Sequence, residues 1–302
     1  MTYQPAAIYD DVDTLPKLPS WVTSTRAETI EDVAFLSGAA LSHLHLVLSD
    51  ESVPQTLLRA RLALRVAEAC MTHQGRPERA AELRDAVAFL QPGDSAGPAG
   101  EVTLSWKRAV GRPVSVKSLD RALPAIDANQ IAMWLDGCDL CGARQGAPVL
   151  RAASALQAVL ADRPRDPAAA LILADAALAQ ALGWSHVLPV LALGLKRADL
   201  RKSGAELQLA CHRAIVSAAT EAVREGADLA RRAARLNAAA PKLRAKGAEE
   251  AVALFLNRDA VAPAVLTSLR SDRAARRFCD RLVELGAVRE LTGRDTFRLY
   301  GI

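Results

Sequence analysis

Residues 271–302 read SDRAARRFCDRLVELGAVRELTGRDTFRLYGI, and the organisation of the chain follows from them. The apolar residues Ala275, Phe278, Leu282 and Leu285 recur at the spacing that lines one face of a helix. Ser271 or Asp272 supplies an N-cap, and Gly286 stands where a helix ends on a left-handed residue. Arg273, Arg276, Arg277 and Arg281 then fall on the solvent side. Beyond the glycine the pattern predicts a hairpin. A run over 288–291 meets the turn residues Thr292-Gly293-Arg294-Asp295, and TFRLY returns with Phe297 and Leu299 on one side and Arg298 on the other. The alternation is imperfect, because Glu290 shares a side with Val288.

A capped helix with arginines on its free face, followed at once by an arginine-tipped hairpin, resembles a winged helix-turn-helix. In that arrangement the helix enters the major groove of duplex DNA and the wing touches the flanking backbone. The upstream helices are predicted over 248–257 and, shorter, over 259–269 around Pro263. On this reading Arg273, Arg276, Arg277 and Arg281 serve the groove, and Arg289, Arg294 and Arg298 serve the wing and phosphates. Lys242, Arg244 and Lys246, in the connector PKLRAKG, add auxiliary positive charge. The same pattern also fits a helix-hairpin cap that closes a helical domain or contacts a protein partner, since a fold does not dictate a function.

Working outward, 302 residues suffice for two domains or one large helical one. Hydrophobic residues make up 51 % of the chain but aromatics only 4 %, so alanine and leucine carry the packing. Those are strong helix formers, and the expectation is an all-α multi-helix bundle with a small C-terminal winged domain. The boundaries read as a flexible arm over 1–25, helical regions over 26–146 and 147–247 of one bundle, and the winged domain over 248–302. A net charge of +4 is mildly basic, which suits local contact with nucleic acid and excludes a non-specific coating protein.

Five scattered cysteines argue against a disulfide framework and for a reducing cytoplasm. The N-terminus lacks the basic and apolar regions of a signal peptide, and no run of eighteen uninterrupted apolar residues occurs, so no membrane role is expected.

Helical periodicity recurs along 26–48, 54–75 and 77–90. QPGDSAGPAG over 91–100 reads as a loop; it lacks the GxxxxGK[ST] spacing of a phosphate-binding loop. Short helices are expected over 101–110, 115–123 and 129–135, and longer ones over 147–161, 167–182, 185–195 and 204–240. Cys138-x-x-Cys141 is half of a zinc site, and Cys70-x-x-His73 at a helix end offers the other half. A cysteine-containing loop without metal is the simpler reading, and no cofactor is expected. The segment DPAAALILADAALAQALGW is apolar all round, which predicts a central buried helix. Asp175 inside it calls for a partner such as Arg151, Arg61 or Arg65, because a buried acid is expensive unless paired. An enzyme centred on a polar pocket near Asp175 is a further alternative.

Several blocks resemble a bacterial family known as domain of unknown function 1403: RARLALRVAEA, GRPERAAELRDAVAFLQPGDSAGPAG, ILADAALAQALGW, APKLRAKGAEEAV and the tail quoted above. The resemblance spans most of the chain from about residue 35, and the tail is its most specific part. Its LGAVRELTGRDTFRLYG pattern is also similar to the helix-turn-helix tail of a mobile-element family with a Fic-like label. The HPFxxGNG-type loop of Fic proteins is absent here, so AMP transfer is not supported. The resemblance implies a cytoplasmic protein, often carried on plasmids and mobile elements, with a DNA-binding end. The expected function is a DNA-binding accessory or transcriptional regulatory protein, homodimeric where its target is palindromic.

Overall fold

The computed structural model describes residues 15–24, 27–76, 78–91, 93–140, 147–294 and 296–302, with the backbone alone for 137–140. Thirteen α-helices, three short 3-10 helices and one two-stranded antiparallel sheet account for the regular structure among them. The protein is mostly helical, as its alanine and leucine content requires. The chain forms two compact units. One comprises Pro19–Leu44 and Arg59–Ala222, and the other His45–Leu58 and Val223–Ile302 with residues 15–18.

The larger unit is built around α9, Pro167–Ala181. Pro167 opens it at a position that needs no N–H, and the Asp166 carboxylate accepts from the Ala169 N–H at 3.1 Å. Every residue from Ala168 to Ala179 is buried, so the uniformly apolar sequence is matched by burial on all sides. α8, Pro148–Asp162, packs along it through Ala152, Ala155, Leu156 and Val159. α5 (Gly97–Val110), α6 (Val116–Ala122) and α7 (Ala128–Leu140) follow one another around the same core, which holds the fully buried Trp106, Leu119 and Ile131.

α5 begins at Gly97, inside the stretch expected to be a loop. Gly97 (φ 65) turns the chain and Pro98 fits the first turn. The helix expected over 185–195 is confined to α10, Val190–Gly194. Before it the Val114 N–H donates to the Ser185 carbonyl at 2.8 Å, and Pro113 and His186 form an antiparallel bridge. Pro189 holds the preceding residue out of the helical region, so the helix starts only beyond it.

α1 (Ser20–Ser24), α2 (Ile30–Ser49), α3 (Gln55–His73) and α4 (Ala80–Ala88) precede these. α2 is long and apolar enough to cross a membrane by length and composition. Its Val33, Leu36, Ala40, Leu41, Leu44 and Val47 row is buried in the protein. α11, Gly204–Ala239, is the longest helix, and its first half belongs to the larger unit.

In the smaller unit the second half of α11 meets the chain ahead of α3. Gly226 permits the approach, since a Cβ there would stand 3.0 Å from a Val47 methyl. α12 (Ala248–Asn257) contributes Phe255 to this core, and α13 (Asp272–Glu284) contributes Phe278 and Leu282. The second short helix expected over 259–269 reduces to one 3-10 turn at Pro263–Val265. β1 (Arg289–Glu290) pairs with β2 (Tyr300–Gly301) in the register Arg289 to Gly301 and Glu290 to Tyr300.

Candidate nucleic-acid interface

α13 forms as its sequence dictates. The Ser271 hydroxyl accepts from the Ala274 N–H at 3.2 Å, which satisfies one orphan donor of the first turn. At the other end Gly286 adopts φ 65; its N–H reaches the Val283 carbonyl at 2.9 Å, and that of Ala287 reaches Leu282 at 3.0 Å. That pair of bonds is a Schellman motif. Between the caps Ala275, Phe278, Cys279 and Leu282 are buried, so Cys279 joins the expected apolar row. Burial pushes the Cys279 thiol up to about 12.

The exposed face divides along the helix. Arg273, Arg276 and Arg277 occupy the first two turns and are exposed, and among the described residues none of them is held in an ion pair. Arg281 is exposed but bonded to Glu284 at 2.8 Å. Asp280 and Glu284 share the exposed side of the later turns, so the positive end of the helix is its N-terminal half.

The three remaining arginines are differently placed. Arg298 lies 3.9 Å from Glu290 and donates to the Arg294 carbonyl at 3.1 Å. The Tyr300 hydroxyl, and after it Glu290, hold the Arg298 guanidinium above its ordinary pKa. Arg294 is exposed in the turn, next to Gly293 at φ 60. Arg289 is exposed in β1 and lines a cleft with residues of α11.

The hairpin departs from expectation at Phe297. That residue was to share the inner side with Leu299, yet it is 73 % exposed while Leu299 is buried. Its φ of 57 breaks the two-residue alternation, so regular pairing resumes only beyond it. The Leu291 N–H donates to the Leu299 carbonyl at 2.8 Å. Val261 adds a third strand-like segment: its N–H donates to Tyr300 at 2.8 Å and its carbonyl accepts from Tyr300 at 2.9 Å. Asp295, in the expected turn, lies outside the described residues.

Lys242, Arg244 and Lys246 are all exposed in the connector ahead of α12. Gly247 (φ 85) ends it, and the Ser268 hydroxyl donates to its carbonyl at 3.0 Å. A Cβ at Gly247 would stand 2.3 Å from the Ser268 carbonyl oxygen, so only glycine lets the connector lie against the segment that leads into α13.

Of the four residues of the zinc alternative, the side chains of Cys70 and His73 lie among the described residues. Cys70 is buried, and that burial pushes its thiol up to about 11. His73 is half-buried, with its pKa lowered by burial and then by Arg197. The Cys138 side chain and Cys141 lie outside the described residues, as do residues 1–14 of the expected flexible arm.

Asp175 is fully buried, but its partners are not arginines. Its two oxygens accept from the backbone N–H groups of Leu191 at 2.7 Å and Ala192 at 3.1 Å, at the N-terminus of α10. Arg65 pairs with Glu221 instead. The expectation of an arginine overlooked that the first N–H groups of a helix are donors in want of an acceptor, and one short helix supplies two of them.

Burial pushes the Asp175 carboxyl up to about 8, against the pull of the amides of Leu191, Ala192 and Val190. The folded value therefore exceeds the unfolded one, and the folded state binds more protons between the two. Stability should fall as pH rises from about 4 to about 8, and Asp175→Asn should flatten that dependence. Urea unfolding at pH 5 and pH 8 for both chains measures it; an equal slope in the variant would assign the titration elsewhere. Asp175 lines neither the cleft between α1, α2 and α11 nor the one at β1, so the pocket required by the enzyme alternative is not at either place.

One buried pair carried no sequence signal. Ser37 and His212, 175 positions apart, meet with Oγ and Nδ1 2.6 Å apart and join α2 to α11. Burial lowers the His212 pKa, which keeps the imidazole neutral. Nothing in either helix's periodicity distinguishes these two positions from other buried ones.

A model of the family described as "Protein of unknown function (DUF1403)" matches residues 6–302. The chain belongs to that family. No curated protein matches it.

Proposed function

We propose that this member of the family binds duplex DNA through α13, as a regulatory or accessory protein with a winged helix at its C-terminal end. The observation that carries the reading is the exposed trio Arg273, Arg276 and Arg277, unpaired among the described residues, in the first two turns of a doubly capped helix. Recognition helices present their N-terminal residues to base edges, and arginine forks match guanine and phosphate alike. The acids Asp280 and Glu284 on the later turns oppose phosphate contact there, which favours an approach by the N-terminal half.

The surrounding order supports a winged plan: α12, a strand-like segment at Val261, a helical turn at Pro263, α13, then a hairpin whose second strand also pairs with Val261. Arg294 and the connector cations Lys242, Arg244 and Lys246 are exposed and suited to the phosphate backbone. A reading as a protein-contact surface draws on the exposed apolar residues Phe297, at 73 %, and Val283, at 40 %.

The test replaces the trio's neighbouring pair. Arg276→Ala/Arg277→Ala should weaken duplex binding by at least about tenfold at moderate salt, since a hydrogen bond to a charged group contributes roughly 1.5–3 kcal/mol. The variant should melt with the wild type, because both positions are on the surface. Undiminished binding by a folded variant would move the interface off α13.

A further inference from the structure

We infer that the larger unit docks a second copy of this chain across a two-fold axis, the rings of Trp21 and Phe35 in each copy seated in the cleft between α1, α2 and α11 of the other. The two rings stack with their centroids 5.7 Å apart and their planes 25° from parallel. They are nonetheless 46 % and 67 % exposed. Aromatic residues make up only 4 % of the chain, and Trp106, Trp184, Phe255 and Phe278 sit in the core. A stacked pair left at the surface is the kind of anchor that interfaces concentrate. α2 itself is apolar enough for a core helix, yet only 39 % of its apolar stretch is buried.

Beside this knob lies a hole. Val22 and Leu36, the next residues along the chain from Trp21 and Phe35, floor the cleft with Val33 and Val216. Its volume of about 570 Å³ is large enough to take both rings. A knob and a hole presented by the same two helices are what a self-complementary contact needs. Each copy gives its rings and receives those of the other.

The charges match in the same orientation. Glu31 and Asp32 precede Phe35 by one turn and share its exposed face. Arg213 is exposed where it lines the cleft, one turn before Val216 on α11. Among the described residues none of these three charges is held in an ion pair. Seating Phe35 in the opposite cleft brings the two carboxylates to the other copy's Arg213, and the axis repeats the pairing. Glu28, the acid that also lines the cleft, engages a partner within its own chain.

Other occupants satisfy less of this surface. A small apolar ligand would fill the cleft and leave the rings in water. An anionic lipid surface would cover the rings and repel Glu31 and Asp32. A second copy satisfies rings, cleft and charges together. All of these residues belong to the larger unit, so the contact depends neither on α13 nor on DNA. The sequence hid it, because Phe35 stands off the apolar row of α2 and periodicity does not say what such a residue meets.

The experiment is sedimentation velocity of the full chain over a concentration series at constant salt. It is repeated for Phe35→Glu, for Arg213→Glu, for Glu31→Arg/Asp32→Arg, and for the last two sets of changes combined. The wild type should dimerise with a Kd of about 1–10 μM. Phe35→Glu should weaken that about a hundredfold, because the two-fold axis doubles each loss. Arg213→Glu and the reversal of the two acids should each weaken it about tenfold, and the combined variant should regain most of the wild-type affinity. Every changed side chain is exposed, so far-UV circular dichroism should show the helix content of the wild type in all four variants. A wild type that stays monomeric to about 100 μM would overturn the interface. So would a dimer indifferent to Phe35→Glu, or reversed charges that fail to restore one another.

Discussion

Replacing Asp175 by alanine is expected to lower the unfolding free energy by about 3–5 kcal/mol. The carboxylate is the acceptor for the Leu191 and Ala192 N–H groups, and all three residues are fully buried. Alanine would strand both donors without water, at roughly 1–3 kcal/mol each. It would also leave a void in α9, where every neighbour from Ala168 to Ala179 is buried and closely packed. Asparagine should cost less, because its carbonyl oxygen can serve one amide while its NH₂ group faces the other. Urea unfolding followed by far-UV circular dichroism measures both. An alanine variant within about 1 kcal/mol of wild type would mean that α10 is not anchored by this carboxylate.

The same short helix is fixed at its other end by the absence of a side chain. Gly194 lies so close to α11 that a Cβ would stand 2.2 Å from the Ala214 carbonyl oxygen and 2.7 Å from the Ala214 Cα. These are backbone atoms of a long helix, so they cannot swing aside as a flexible side chain does. Gly194→Ala should therefore force α10 and α11 apart and cost about 2–4 kcal/mol. The gain in helix propensity from alanine, at most about 1 kcal/mol, works against that loss and does not cancel it. Gly38, with nothing within 4 Å of its would-be Cβ, is the control: alanine there should be neutral or stabilising. Equal effects at Gly194 and Gly38 would contradict the packing argument. Since Asp175 and Gly194 hold opposite ends of one element, the double variant should lose less than the sum of the singles.

How much of this was legible in the sequence depends on the range of the interaction that decides each feature. α13 was readable because cap, apolar row and terminal glycine lie within sixteen residues, and local chemistry fixes all three. α9 was readable from its composition, since a helix apolar on every side has only a core to occupy. The partner of Asp175 was not readable. It lies on a five-residue helix that begins after Pro189, beyond a segment bridged to the distant Pro113 through His186.

The pairing of Ser37 with His212 is likewise purely tertiary. In the hairpin, two-residue alternation placed Leu299 correctly and Phe297 wrongly, because one residue with a positive φ reverses the sides on which its neighbours fall. Arginine content in the tail was plain from the start. Which arginines are unpaired was not, because Glu284 and Glu290 neutralise Arg281 and Arg298 only once helix and hairpin are formed.

Engagement of duplex DNA by α13 and its flanking cations is tested most directly by the salt dependence of binding. Fluorescence anisotropy of a labelled duplex with the full chain, from low salt to about 0.3 M, should give binding that weakens linearly in log–log form. With Arg273, Arg276, Arg277 and one or two of the flanking cations on phosphates, the slope should be roughly −3 to −5. Arg276→Ala/Arg277→Ala should make it shallower by about 1–2. A chain that shows no binding at low salt, or a slope unchanged in the variant, would contradict the account and leave the exposed trio without DNA as its partner.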